Sequence, residues 1–273
     1  MQLTLPFRRI CLFLCLLLFP LLAGCDLLPT ITIGLNTQTP TPNVNIWNTA
    51  APGVQTRQEV WKSPDGDQAS DTVTIVRFDL HYVKLSVAYQ PDQPLSMEQW
   101  IQKEQPVALM NGGYFDGTDN ATALVVSNGQ AYGTSYQGFG GMLDVDAQGN
   151  VQLRSLTAQP YDPSENLTQA TQCEPMLMLN GKRTQFDPDT KTSPRSIVAI
   201  DKQGRLLLIA SPDLAFTLND IADILPTTDL GLTTALNLDG GSSTGLYVSG
   251  NQPAGVQINA YVNLPLVIVV KEK

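Results

Sequence analysis

From about residue 54 onward, hydrophobic residues come in short runs separated by glycine-bearing turns. TVTIVRF (72–78) and YVKLSVAY (82–89) are rich in β-branched and aromatic side chains and partly alternate with polar ones. That is the period of a strand with one buried face. Asn128-Gly129 and Asn180-Gly181 each follow an apolar run, and such pairs supply the two positive-φ residues of a tight hairpin. Gln148-Gly149-Asn150 and Lys202-Gln203-Gly204 mark two more turns, the second inside IVAIDKQGRLLLIA, which reads as a hairpin of two buried strands. Helical periodicity is scarce. Ser96-Met97-Glu98-Gln99 has the form of a capping box opening a helix to about Glu104. Thr217-Leu218-Asn219-Asp220 opens a second, with Leu218, Ile221, Ala222 and Leu225 at helical spacing and Pro226 as its stop. No repeat is present. The pattern predicts an α+β fold, mostly antiparallel β-sheet with a few short helices, in a single domain over 54–273.

The first 53 residues follow other rules. Arg8 and Arg9 precede a 15-residue apolar run, Ile10 to Gly24, shorter than the ~20 residues of a spanning helix. A basic region, an apolar region and small residues, in that order, form a secretory signal. Its end, Leu22-Ala23-Gly24-Cys25, resembles a bacterial lipoprotein signal box. The resemblance implies a signal peptide at 1–24, cleavage before Cys25 and lipidation of Cys25. Two or more acyl chains hold a protein stably on a membrane. The expected location is therefore extracytoplasmic, lipid-anchored to the bacterial cell membrane. Residues 25–53, rich in Thr, Pro and Asn with Asp26 as their one charge, then read as a flexible tether. Trp47, within it, either docks on the domain or stays exposed.

Composition narrows the function. The chain has 273 residues, is 42% hydrophobic and only 15% charged, and carries a formal charge of −9. Removal of residues 1–24 leaves 249 residues and shifts the charge to −11, because only the two arginines are lost. An acidic chain argues against nucleic acid as a partner and against charge-driven adsorption to anionic lipid. Of four cysteines, Cys11 and Cys15 leave with the signal and Cys25 takes the lipid, so Cys173 remains alone. Gln172 and Glu174 beside it offer no positive charge to a thiolate, which favours a structural role.

Two glycine-rich polar clusters stand out, MNGGYFDGTD (110–119) and LNLDGGSSTG (236–245), each after an apolar run. Glycines just beyond a strand let backbone approach a ligand closely, and successive N–H groups can cradle an anion. Asn111, Asp116, Asn237 and Asp239 add amides and carboxylates at those strand ends. Gly241-Ser242-Ser243-Thr244-Gly245 also fits the G-x-S-x-G of a nucleophile elbow, but the sole histidine, His81, precedes the serine, whereas that hydrolase order places it after. One His and one remaining Cys argue against a transition-metal site. No cofactor is expected, with an oxygen-ligated Ca²⁺ or Mg²⁺ through Asp116, Asp119 or Asp239 left open. Arg195, at the entry of the SPRSIVAID strand, is either a strand-edge charge or a bidentate phosphate ligand.

The order NGGYFD, ALVVSNGQ, EPMLMLNGK, PRSIVAID, TLNDIADIL, ALNLDGGSST, over about residues 106–270, resembles the phosphodiester glycosidase family. The resemblance implies an α+β hydrolase that splits a sugar from a phosphodiester. It carries Asn111, Gly112, Gly113 and Asp116 over from the first motif, Arg195 from the fourth, and Asn237, Asp239, Gly240, Gly241, Ser242, Ser243 and Thr244 from the last. The chain departs from the family pattern in a glycine pair where many members have three, in Glu174 where many have glycine, and in having no arginine after Arg205. Glu174 then joins the candidates, as an acid–base group or as a charge that repels an anion.

The chemistry assigns roles. A phosphomonoester leaves readily, so donors that stabilise its charge matter most, which suits Arg195 and the 240–244 turn. One carboxylate activates water or attacks the anomeric carbon, Asp239 ranking before Asp116. The expected function is cleavage of a sugar-phosphodiester of envelope or extracellular glycans. The alternatives are a non-catalytic glycan-binding or envelope-assembly lipoprotein of the same fold, and a phosphodiesterase cutting the P–O bond.

Overall fold

The computed structural model describes residues 44–273 except 65, 67 and 68; the stretch expected as a signal peptide, and Cys25, lie outside the described residues. Three antiparallel sheets and two short α-helices build the domain. The first sheet has eight strands in the order Asn48–Ala51, Val54–Lys62, Ser70–Phe78, Leu206–Phe216, Ser193–Asp201, Leu232–Asn237, Met176–Leu179, Lys182–Arg183. The second has five, Gln130–Tyr132, Val125–Ser127, Leu167–Cys173, Gly141–Asp146, Val151–Ser155. The third also has five, Val256–Ile258, Leu246–Val248, Ala108–Asn111, Leu266–Glu272, Val83–Tyr89.

All four expected turns close hairpins. Asn128 and Gly129, and Asn180 and Gly181, take positive φ at both positions, the geometry that matches the twist of paired strands. The first strand starts at Asn48, inside the stretch expected as tether, and pairs with Val54–Lys62. Trp47 docks: the Arg77 guanidinium lies 3.8 Å from its ring centroid and that of Arg57 5.6 Å, a cation–π arrangement. The ordered domain therefore begins before residue 54.

The period of two explains how one set of strands serves several cores. Val198, Leu208 and Ala210 of the first sheet, Met110, Ile268 and Val270 of the third, and Leu143 and Cys173 of the second share one central cluster. The alternate residues face outward into their own layers. Ile197, Ala199, Leu207 and Ile209 pack with Ile221, Ala222 and Ile224 of the helix Leu218–Ile224. Leu109, Val267 and Val269 pack with Met97 and Trp100 of the helix Met97–Glu104. Burial on both faces is why these strands read as unbroken apolar runs.

Both helices begin in capping boxes, Ser96 with Gln99 and Thr217 with Asp220. The second ends at Ile224, and Pro226 lies in a following 3₁₀ turn, Leu225–Thr227. Ser96 Oγ accepts from the Gln99 N–H at 3.3 Å, and Gln99 Oε1 accepts from the Ser96 N–H at 3.0 Å. Ser96→Ala is expected to lower unfolding free energy by about 1 kcal/mol, measured by urea denaturation.

Candidate active site

The two glycine clusters meet. Ala108–Asn111 runs through the third sheet and Leu232–Asn237 through the first, and each continues into its polar loop at the same end of the central core. The Asp239 N–H donates to the Gly112 carbonyl at 3.1 Å. Asn111, 1% exposed, fastens the junction. Its Nδ2 donates to the Asp239 carbonyl at 2.6 Å, and its Oδ1 accepts from Ser196 Oγ at 2.8 Å and from the Gly245 N–H at 3.1 Å. Gly113 must lack a side chain, because a Cβ there would stand 2.4 Å from the Gln172 carbonyl oxygen. The chain beyond the third sheet is thereby pressed against the second.

Asp239 sits at the centre of this junction. Burial pushes its carboxyl up to about 6, while hydrogen bonds from the Ser243 side chain and the Gly240 N–H, the latter 2.9 Å from Oδ1, pull the other way. Gly241–Ser243 forms a single 3₁₀ turn, closed by Ser243 N–H to Gly240 O at 3.1 Å and Thr244 N–H to Gly241 O at 3.2 Å. Ser243 and Thr244 are buried and Ser242 is exposed. The first N–H groups of such a turn, here those of Gly241 and Ser242, have no partner within it.

Asn237, 1% exposed and two residues before Asp239, holds the wall of a cleft. Its Nδ2 donates to Tyr114 Oη and to the Glu174 carbonyl, both at 2.8 Å, and Tyr114 Oη donates to that carbonyl at 3.0 Å. Asn237 Oδ1 is buried with no hydrogen-bond partner among the described residues. Burial raises the Tyr114 phenol, with the Cys173, Asp239 and Glu174 charges adding to it and Arg195 opposing. Tyr114 and the exposed Glu174 both line a cleft of about 810 Å³. Cys173, just before Glu174, is wholly buried, and burial pushes its thiol up, as befits a structural residue.

Two candidates are placed differently from the sequence reading. Arg195 is buried and largely committed: Nη2 donates to Asp189 Oδ2 and to the Lys191 carbonyl, each at 2.6 Å, and Nε to the Phe216 carbonyl at 3.2 Å. Its Nη1 carries no protein hydrogen bond among the described residues. Asp116 is exposed and organises its own loop, accepting from the Thr118 N–H, the Thr118 hydroxyl and the Asn120 N–H at 2.8, 2.7 and 3.1 Å. Those bonds hold its carboxyl below the usual range. No hydrogen bond or ion pair among the described residues joins Asp116 to Asp239 or Glu174. His81 lies in the turn before Val83–Tyr89, bonded to Asp79.

Tyr114 and Ser196 were not singled out by sequence. Tyr114 stands inside NGGYFD and Ser196 beside Arg195, so only position in a motif could have pointed to them. No group of three or more His, Cys, Asp or Glu side chains is placed to hold a metal among the described residues.

Comparison with known proteins gives a consistent picture. The structure is similar to the catalytic domain of zebrafish N-acetylglucosamine-1-phosphodiester alpha-N-acetylglucosaminidase, in a form auto-inhibited by its pro-peptide. The TM-score is 0.66 at 18% identity, over 83% of this chain and 86% of that one. It is also similar to a hypothetical protein from Synechocystis, with a TM-score of 0.57 at 15% identity, over 82% of this chain and 63% of that one. At these identities the likeness is one of fold. No curated protein matches the sequence significantly. The family model for phosphodiester glycosidase matches residues 104–270, which takes in both glycine clusters, the Glu174 wall and Arg195, and the chain accordingly belongs to the phosphodiester glycosidase family.

Proposed function

We propose that the protein hydrolyses the glycosyl C–O bond of a sugar phosphodiester. Asp239 carries the reading: a carboxyl buried enough to be raised to about 6, at the end of a strand, where two glycine loops are locked together by Asn111. Its ionised form is the base that activates water or the nucleophile at the anomeric carbon. The Gly241 and Ser242 N–H groups and Arg195 Nη1 are the donors assigned to the departing phosphate. Glu174, on the cleft wall, is the second carboxylate. Asp116 has a loop-building role in this scheme. The Leu22-Ala23-Gly24-Cys25 box supports a place outside the cytoplasmic membrane, held by lipid on Cys25.

Hydrolysis of a methyl-phosphoryl sugar in ¹⁸O-water tests the reaction. Label is expected in the released sugar; label in the phosphate means P–O cleavage and overturns the proposal. The pH profile tests the role of Asp239. If its ionised form acts, kcat/KM rises with pH up to about 6 and then levels. A profile that falls through that region would make the group an acid instead.

A further inference from the structure

The cleft beside Tyr114 and Glu174 is walled by aromatic, small polar and acidic residues. Tyr114, Phe139, Thr157, Glu174, Phe186 and Asp187 are among its lining residues, and no lysine, arginine or histidine is. Phe139 is 47% exposed, yet it is held firmly. Its ring stacks on Tyr136, centroids 4.6 Å apart and planes at 29°. The Tyr136 N–H donates to Gln172 Oε1 at 2.9 Å. Gly140, at φ +74, brings the loop so close to the second sheet that a Cβ would lie 2.7 Å from the Cys173 carbonyl. That carbonyl immediately precedes Glu174, so the ring is fixed relative to the site.

An exposed aromatic ring fixed in this way does little for the core. It offers a flat apolar face at low entropic cost, the property that makes aromatics good contact residues. The C–H face of a pyranose packs on such a ring, and the hydroxyls at its edge donate to carboxylates. Arg183 lies behind the Phe186 ring, 5.4 Å from its centroid, but its three nitrogens are taken by Asp223, the Thr184 carbonyl and Asn219 Oδ1. The two carboxylates therefore face the cleft without a free cation, repel a sugar acid and accept from a neutral sugar. The volume of about 810 Å³ lies within the range of small-molecule sites and leaves room for more than one ring.

We propose that this cleft is a subsite for an uncharged oligosaccharide, stacked on Phe139 and hydrogen-bonded by Glu174 and Asp187, and closed to anionic sugars. This rests on the reading of the protein as a hydrolase of sugar phosphodiesters and deepens it: the phosphate is held at the 240–244 turn, and the cleft holds a neutral glycan.

Calorimetric titration of the full chain in detergent tests it, with uncharged tetrasaccharides of glucose, N-acetylglucosamine and mannose, and a uronic acid tetrasaccharide. At least one neutral probe is expected to bind and the uronic acid probe not to. Phe139→Ala is expected to weaken the neutral probe about tenfold with an unchanged melting temperature. Binding of none of the neutral probes, equal binding by the variant, or uronic acid binding as tight as neutral overturns the subsite. Turnover of methyl-phosphoryl sugars is measured in parallel. Turnover without oligosaccharide binding removes the subsite alone. Phe139-dependent binding with no turnover of any sugar phosphodiester removes the hydrolase and keeps the glycan site.

Discussion

Asp239→Asn is expected to lose at least about 10³-fold in kcat/KM and, at pH 7.5, to melt higher than the parent protein. The two effects have one cause. The carboxyl is raised from an ordinary value of 3.8 to about 6 because the fold desolvates it more than its hydrogen bonds compensate. Between those values the folded state holds a proton that the unfolded state has released, so stability falls as pH rises through that window. Above about pH 6 the whole cost of the buried charge is present. Asparagine has the same shape, still accepts from the Gly240 N–H, and never ionises. Removing the charge is expected to stabilise by up to about 3 kcal/mol at neutral pH, or roughly 5–10 °C in melting temperature. The gain fades as pH falls toward and below 3.8, where the unfolded carboxyl takes up its proton as well. Scanning calorimetry at pH 3.5 and 7.5, with turnover on a sugar phosphodiester, checks both halves. A variant that keeps turnover, or that melts lower at neutral pH, would remove Asp239 from the centre of the site.

Much of this was legible because it is local. The Asn-Gly turns had to take positive φ, and both capping boxes are contiguous four-residue patterns. The two glycine clusters announced themselves as a pair, each with Asn and Asp beside its glycines and each directly after an apolar run. What stayed hidden depends on residues far apart in sequence. Three sheets sharing one core cannot be seen in strand patterns, since Val198, Met110 and Leu143 look alike whether they meet or not. The hold of Asp189 on Arg195 joins a proline-flanked loop to a strand, and nothing in SPRSIVAID signals it. The loop bonds of Asp116 were legible for the opposite reason, since its Asp-x-Thr-x-Asn spacing is a local turn-forming pattern. The strand Asn48–Ala51 was obscured by composition, because Thr, Pro and Asn dominate the sequence up to its first residue. Phe139 was passed over because a lone aromatic between glycines has no periodicity to place it.

Those long-range ties also locate the weakest point of the site. Asn111→Ala is expected to lower unfolding free energy by about 3–5 kcal/mol and to reduce kcat/KM by tenfold or more. One side chain, 1% exposed, satisfies Ser196 Oγ, the Gly245 N–H and the Asp239 carbonyl. Alanine leaves three buried polar groups without it, each costing about 1–3 kcal/mol when water cannot reach. It also leaves Asp239 tied to the first cluster by its N–H to the Gly112 carbonyl alone, so activity falls beyond what the lost stability explains. Asn111→Asp separates the two contributions. An ionised aspartate still accepts from Ser196 and Gly245, but it sets a buried charge against the Asp239 carbonyl and has no hydrogen to donate. Burial raises its pKa, so its stability deficit relative to the parent narrows as pH falls and a proton returns to bridge that carbonyl. Urea denaturation of both variants at pH 5 and 7.5 measures this. A cost below about 1 kcal/mol for alanine, or a deficit for aspartate that widens on acidification, would show that the two loops hold their geometry without Asn111.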